Sequence, residues 1–314
     1  MTPAFLFPGQ GSQEVGMGAD LYEQRPEARA RFEAADKFLG HALTDLMFGR
    51  HAESDEAAEE ALKQTEVTQP ALYVHSCAAM AVLDAAGHAP AMVAGHSLGE
   101  YSALAAAGAL SFEDGLRVVR RRGALMAEAG DRRPGTMAAV LGVNDETIET
   151  ICDQVTLDGD GVVQPANFNA PGQIVISGDE EAVAKAMEAM PGRSIPLPVS
   201  GAFHSPLMAY AQDGLAEVLD DVTIQAPRCP VYLNVTARPT TDPDEIRRAL
   251  LEQLRAPVRW AQTLRAMQED GATRYVEVGA GTVLRGLVRR TLGRDADTAA
   301  AGTADDLAAR TRAA

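Results

Sequence analysis

Met92-Val93-Ala94-Gly95-His96-Ser97-Leu98-Gly99-Glu100-Tyr101 is the stretch on which the chain turns. Its apolar lead-in predicts a buried strand, and the small apolar residues from Tyr101 to Ala107 predict a helix. Between them, Gly95-His96-Ser97-Leu98-Gly99 has the G-x-S-x-G spacing of a nucleophile elbow, a sharp strand-to-helix turn that exposes a serine hydroxyl. The glycines matter because a Cβ on either side of such a turn collides with the crossing backbone. The elbow sets Ser97 at a helix N-terminus, where unpaired N–H groups and the helix dipole favour a developing negative charge. A helix-capping serine could occupy the same place, but a cap requires neither glycine.

Upstream, residues 3 to 7 predict a first strand, followed by Pro8-Gly9-Gln10-Gly11-Ser12-Gln13. This loop lacks the G-K-[ST] of a phosphate loop and has Glu14 where a dinucleotide fingerprint needs glycine. Helices are predicted through Phe32 to Leu46, over the acidic stretch Glu53 to Glu60, from Thr68 to Leu83, and from Phe112 to Glu128. From Pro134 to Pro198 the pattern becomes β-α-β-β-α-β, that of a ferredoxin-like unit. Strands are expected at Met137 to Leu141, Val162 to Ala166, Ile174 to Ser177 and Arg193 to Leu197. Residues 1–133 and 199–314 then form one α/β domain with a mostly parallel sheet, and 134–198 a small insertion. In the returning part, Ser200 to Pro206 is a turn opening the helix Leu207 to Leu219, and Tyr275 to Val278 is a strand. The Ala-, Asp- and Arg-rich tail beyond Gly293 is expected to be partly mobile.

Composition excludes several function classes. A net charge of -16 argues against general nucleic-acid or anionic-membrane binding. Arg117 to Arg122, Arg132 with Arg133, and Arg285 to Arg290 are the local basic exceptions. Three widely spaced cysteines, Cys77, Cys152 and Cys229, fit neither a disulfide frame nor a zinc site. The N-terminus does not resemble a signal peptide, and no apolar run is long enough to span a bilayer. A cytoplasmic location is the expectation.

A serine hydroxyl needs a base. His41, His51 and His88 lie in polar or loop surroundings, and His75 sits in an apolar helix. His96 is adjacent to the nucleophile and either steadies the turn or meets substrate. By elimination, His204 is the candidate base. No acidic residue between Ser97 and His204 stands at a clear strand end, so a carbonyl orienting His204, and hence a dyad, is an open alternative to a triad. The N–H of Leu98 and one from the loop around Gln10 and Gly11 could form an oxyanion hole if strand 3–7 lies beside strand 91–95. In Arg120-Arg121-Arg122 the helical period turns one arginine inward. Its partner is either a substrate carboxylate or an internal salt bridge.

The chain resembles malonyl-CoA:acyl-carrier-protein transacylases of fatty-acid synthesis and the acyltransferase domains of polyketide synthases. The resemblance runs from Phe5 to about Leu292. Its motifs are Phe7-Pro8-Gly9-Gln10-Gly11-Ser12-Gln13, Gly95 to Tyr101, Arg122-Gly123, Asn167 to Gln173, Gly201-Ala202-Phe203-His204-Ser205, and Gln253 with Pro257-Val258-Arg259-Trp260. It implies a hydrolase-like α/β domain with a ferredoxin-like insertion. It also implies Ser97 as the malonylated nucleophile and His204 as base, oriented by the main-chain carbonyl of Gln253. Arg122 would hold the malonyl carboxylate, Gln10 and Leu98 the oxyanion, and Phe203 would go with malonyl over methylmalonyl. Malonyl-CoA and acyl carrier protein are the implied partners of a monomeric enzyme without metal or redox cofactor. Service in polyketide synthesis, a serine thioesterase with water as acceptor, and an idle carrier-protein docking module are the competing readings. Gly279-Ala280-Gly281-Thr282 departs from the Gly-Pro-Gly-Lys-type turn of many relatives.

Overall fold

The computed structural model describes residues 1–50, 54–199 and 201–311. Among the described residues, ten strands form two sheets. They are β1 (Pro3–Phe7), β2 (Met92–Gly95), β3 (Thr136–Leu141), β4 (Val163–Ala170), β5 (Gln173–Gly178), β6 (Arg193–Pro196), β7 (Val231–Tyr232), β8 (Pro239–Thr240), β9 (Arg274–Val278) and β10 (Thr298–Ala301). The larger sheet has the order β10-β9-β1-β2-β7-β8. It is parallel except for β8, which turns back on β7. A parallel sheet covered on both faces needs strands that are apolar throughout. β1 and β2 meet that need, with alternate side chains entering different cores. Phe5, Phe7 and Val93 pack with the helices Thr65–Ala85 and Phe112–Arg132. Ala4, Leu6, Met92 and Ala94 face Trp260–Glu269 and Val283–Leu292.

The register of β1 on β2 positions the site. Phe7 lies opposite Gly95, so the loop after β1 and the elbow after β2 leave the sheet side by side. The elbow then folds tightly against both. A Cβ on Gly95 would overlap the backbone of Gly99, and a Cβ on Gly99 would overlap the carbonyl oxygen of Phe7. These neighbours are main chain, and no rotamer change relieves the overlap. Gly99→Ala is therefore expected to cost about 3 kcal/mol and lower the melting temperature by roughly 6–12 °C, read by thermal unfolding. An unchanged melting temperature would show that the elbow has slack.

The second sheet has the order β4-β5-β3-β6 with every neighbour antiparallel. Its elements follow the order β-α-β-β-α-β, with helices at Asp145–Leu157 and Glu180–Ala189. Ile148, Cys152, Val183 and Ala186 on those helices close a separate apolar core over the sheet. β4 is longer than expected and takes in Asn167-Phe168-Asn169-Ala170. Register shifts interrupt it between Pro165 and Asn167 and between Phe168 and Ala170. Such irregularities re-aim side chains. Here they accompany an exchange of hydrogen bonds with the loop at Val258: Phe168 N donates to Val258 O, and Val258 N donates to Ala166 O.

Several expectations change. The described part of the tail beyond Gly293 is ordered: β10 is an edge strand of the main sheet, and Ala304–Thr311 is a helix. Alanine-rich chain carries little periodicity, but β10 needs only its backbone to pair with β9. The helix predicted from Thr68 starts at Thr65 and carries Pro70 within it. The segment predicted as the helix Leu207 to Leu219 is a short 3₁₀ turn, Pro206–Met208, followed by Ala209–Asp220. His41 is exposed as expected, but His88 is half-buried. The expectations for His51, Glu53 and Ser200 lie outside the described residues.

Candidate active site

Ser97 sits between β2 and the helix Gly99–Ala106 with φ at +51°. A non-glycine residue pays about 1–3 kcal/mol to hold such a conformation, so its surroundings must fix it. Asn234 does so from the loop after β7: its Oδ1 accepts the Ser97 N–H at 2.7 Å and its Nδ2 donates to Gly95 O at 2.7 Å. Gln253 Nε2 donates to Ser97 O at 3.1 Å. The strained turn is thus held through its own backbone, which leaves the hydroxyl free.

That hydroxyl lies 2.8 Å from His204 Nε2. His204 Nδ1 lies 2.8 Å from the main-chain oxygen of Gln253. A carbonyl can only accept, so Nδ1 carries the proton and Nε2 offers its lone pair to Ser97 Oγ–H. Burial pushes the His204 pKa down to about 3, with the positive charge of Arg122 adding to the effect. The imidazole is therefore neutral at ordinary pH, the form a general base requires.

Arg122 faces inward while Arg120 and Arg121 are exposed, as the helical period demands. It is 1% exposed. Nη1 donates to Gln69 Oε1 at 2.9 Å, and Nη2 donates to Gln253 Oε1 at 2.9 Å and to Ser97 Oγ at 3.2 Å. The guanidinium also lies 5.6 Å from the centre of the Tyr101 ring. Among the described residues no ion pair involves Arg122. The internal salt bridge is thus absent. A buried guanidinium held only by neutral amides and hydroxyls retains most of its capacity for an anion.

These groups face a cavity of about 120 Å³, also lined by Gln10, Leu98 and Phe203. Leu98, at the head of the helix Gly99–Ala106, and Gln10 have backbone N–H groups that no hydrogen bond among the described residues occupies. The neighbouring Gly11 N–H is taken by Gln13 Oε1 at 2.7 Å, which singles out Gln10 in that loop. The loop reaches the elbow because Gly9 has no side chain: a Cβ there would overlap His96 O. His96 turns away from Ser97. Its Nε2 is 2.7 Å from Asn169 Oδ1 and its ring is 5.4 Å from that of Trp260. It stands where the small cavity meets a second cleft of about 420 Å³ that runs to Val283 and Leu287.

Gln253 joins the site as expected, and its side chain does more than its carbonyl. Three further residues escaped the sequence reading: Gln69, Asn234 and Glu100. Each is buried and polar, and each meets the site across a long sequence separation. Glu100 alone carried a local signal, as an acid placed inside an otherwise apolar helix.

Comparison with known proteins agrees with this geometry. The family model described as acyl transferase domain matches residues 4–309. A malonyl CoA-acyl carrier protein transacylase of Bacillus subtilis is 46% identical over 291 residues, covering 91% of this chain and 89% of its own. The solved malonyl CoA-acyl carrier protein transacylase of Coxiella burnetii superposes with a TM-score of 0.92 at 38% identity, covering 99% of this chain and 97% of its own. A malonyl-transacylase solved in complex with a type II polyketide acyl-carrier protein gives a TM-score of 0.92 at 38% identity, with 100% of both chains covered. An elbow serine paired with a histidine, a buried arginine beside them and a family match over nearly the whole length lead to one conclusion: the chain belongs to the acyl transferase domain family.

Proposed function

We propose that the protein transfers a malonyl group from malonyl-CoA to the phosphopantetheine thiol of acyl carrier protein, in fatty-acid biosynthesis. The observation that carries the acyl specificity is Arg122 Nη2 at 3.2 Å from Ser97 Oγ. A guanidinium so close to the nucleophile suits an acyl group with a carboxylate a few bonds from its carbonyl. The transfer runs in two halves. Ser97 Oγ attacks the thioester carbonyl as His204 Nε2 takes its proton, and the N–H groups of Leu98 and Gln10 stabilise the oxyanion. Collapse breaks the C–S bond, and His204 returns the proton to the leaving thiolate. The acceptor thiol then gives its proton to His204 and attacks the malonyl ester, and Ser97 regains its hydrogen.

The larger cleft leading to Val283 accommodates the pantetheine arm, with His96 at the junction. Phe203 lines the acyl cavity and in this reading disfavours a methyl branch. Residues 134–198 act as an inserted unit that walls the site, against 1–133 and 199–314. The reading includes a monomeric cytoplasmic enzyme whose chemistry is carried by side chains and main-chain N–H groups, without a resident cofactor. Mass spectrometry after incubation with malonyl-CoA should find one malonyl group on Ser97, which disappears when phosphopantetheinylated carrier protein is added. Rapid release of free malonate without carrier protein would make the protein a thioesterase instead.

A further inference from the structure

The acyl transfer described above uses Ser97, His204 and Arg122 and gives no part to the buried carboxylate beside them, Glu100. Glu100 is 0% exposed. Burying a carboxylate is costly unless charge and hydrogen bonds compensate it. Among the described residues no basic side chain forms an ion pair with it. Its Oε2 accepts from Gln253 Nε2 at 2.8 Å and from Asn234 N at 3.2 Å, and its Oε1 accepts nothing.

Both donors belong to residues that hold the reacting groups. Asn234 fixes the Ser97 and Gly95 backbone. Gln253 orients His204 through its carbonyl and Arg122 through its side-chain oxygen. The Gln253 amide therefore bridges a cation and a carboxylate, oxygen towards Arg122 and nitrogen towards Glu100. The flipped amide would set nitrogen against guanidinium and oxygen against carboxylate, both repulsive. Glu100, together with Arg122 and Ser97 O, thus selects one of two sterically equal orientations.

We propose that Glu100 is the positioning residue and counter-charge of this site: through Gln253 and Asn234 it locks the amide that presents Arg122, steadies the carbonyl that orients His204, and offsets the charge of Arg122. The proposal rests on the malonyl-transfer reading. It places beside the dyad the negative charge that a triad would hold in direct contact with the histidine, displaced by one amide. The sign of its effect follows. Burial raises the Glu100 carboxyl to about 7 against the opposing pull of Gln253, Asn234 and Arg122, so the counter-charge is present above about pH 7; Arg122 in turn weakens His204 as a base. Removing the negative charge leaves a poorer base and a stronger anion binder. A residue that merely supports the fold would not shift those two properties in opposite directions.

Single-turnover loading of Ser97 by malonyl-CoA at pH 8, where Glu100 is charged, separates them, as a maximal rate and a half-saturating concentration. Glu100→Gln keeps the shape and an acceptor oxygen but loses the charge. Its maximal rate is expected to fall about tenfold or more, while its half-saturating concentration stays level or falls. An unchanged rate, or a half-saturating concentration that rises as the rate falls, overturns the proposal. Glu100→Asp keeps the charge on a shorter stem and should load faster than Glu100→Gln despite its poorer packing; the reverse ranking also overturns it. If Glu100→Gln does not fold, Glu100→Asp is ranked against Glu100→Ala in the same way. The parent protein in the same assay tests the malonyl-transfer reading separately, since that reading fails if the parent does not load at all.

Discussion

His204→Ala is expected to load malonyl onto Ser97 about 10⁴-fold more slowly than the parent protein. The single contact at 2.8 Å between Ser97 Oγ and Nε2 is the route by which the serine proton leaves. No other described side chain with a basic nitrogen at neutral pH replaces it: His96 is turned to Asn169, and Arg122 is a donor only. The pH profile separates this role from a packing role. A base with a depressed pKa keeps its active, neutral form as the pH falls. With His204 pushed down to about 3, loading by Glu100→Gln, which lacks the carboxyl that burial raises to about 7, should stay level from pH 8 to about pH 5. A histidine in water would already have lost most of its activity there, because it protonates near pH 6.5. An acid limb centred near 6.5 in initial loading rates at low substrate would sink the assignment. Stability has the matching sign. His204 and His75 are held at about 3 and about 4 by burial, so below roughly pH 6.5 the unfolded chain binds protons that the fold refuses. Their contribution to stability is complete above that pH and declines as the pH falls towards the folded values.

The sequence made legible those parts of the site that depend on local geometry. Gly95 and Gly99 announce the elbow by their spacing because backbone must cross where a Cβ would stand: at Gly95 that constraint acts within five residues, whereas at Gly99 it comes from the end of β1. Arg122 could be singled out from its neighbours because the helical period is local too. Gln69 and Asn234 stayed hidden because their work is done across the fold, and Glu100, although it stands in the elbow stretch itself, meets its partners only there. Asn234 meets Ser97 at a separation of 137 residues and Gln253 meets Glu100 at 153. A buried asparagine or glutamine carries no signal of its own until its partners are placed. The same holds for β10, where Thr298-Ala299-Ala300-Ala301 has no apolar alternation and is recruited by the free edge of β9. The choice between ion pair and open anion site at Arg122 could not be made from sequence, since it depends on which groups the fold does not bring near.

Arg122→Ala is expected to reverse the acyl preference of the protein rather than simply reduce its activity. In the parent, a malonyl carboxylate entering the cavity meets a guanidinium that is 1% exposed and lacks an ion-pair partner among the described residues. Truncating one member of a buried charge pair of this kind costs about 2–5 kcal/mol, so malonyl loading efficiency should fall between about 30- and 5,000-fold. The acetyl group has no carboxylate, and in the parent it leaves the arginine buried and unpaired beside a methyl. Two effects then favour acetyl in the variant. The cavity loses a charge that the acetyl group cannot pair, and His204 loses the nearby cation that weakens it as a base. Acetyl loading should therefore hold or rise while malonyl loading collapses, and the ratio of the two efficiencies is the quantity to measure. Gln69 and Gln253 lose their donor in the variant, so some loss of order is expected, but that loss falls on both acyl groups alike and cancels in the ratio. Equal losses for malonyl and acetyl would assign Arg122 to holding Gln253 and Ser97 in place, and would remove the charge argument for a carboxylated acyl group.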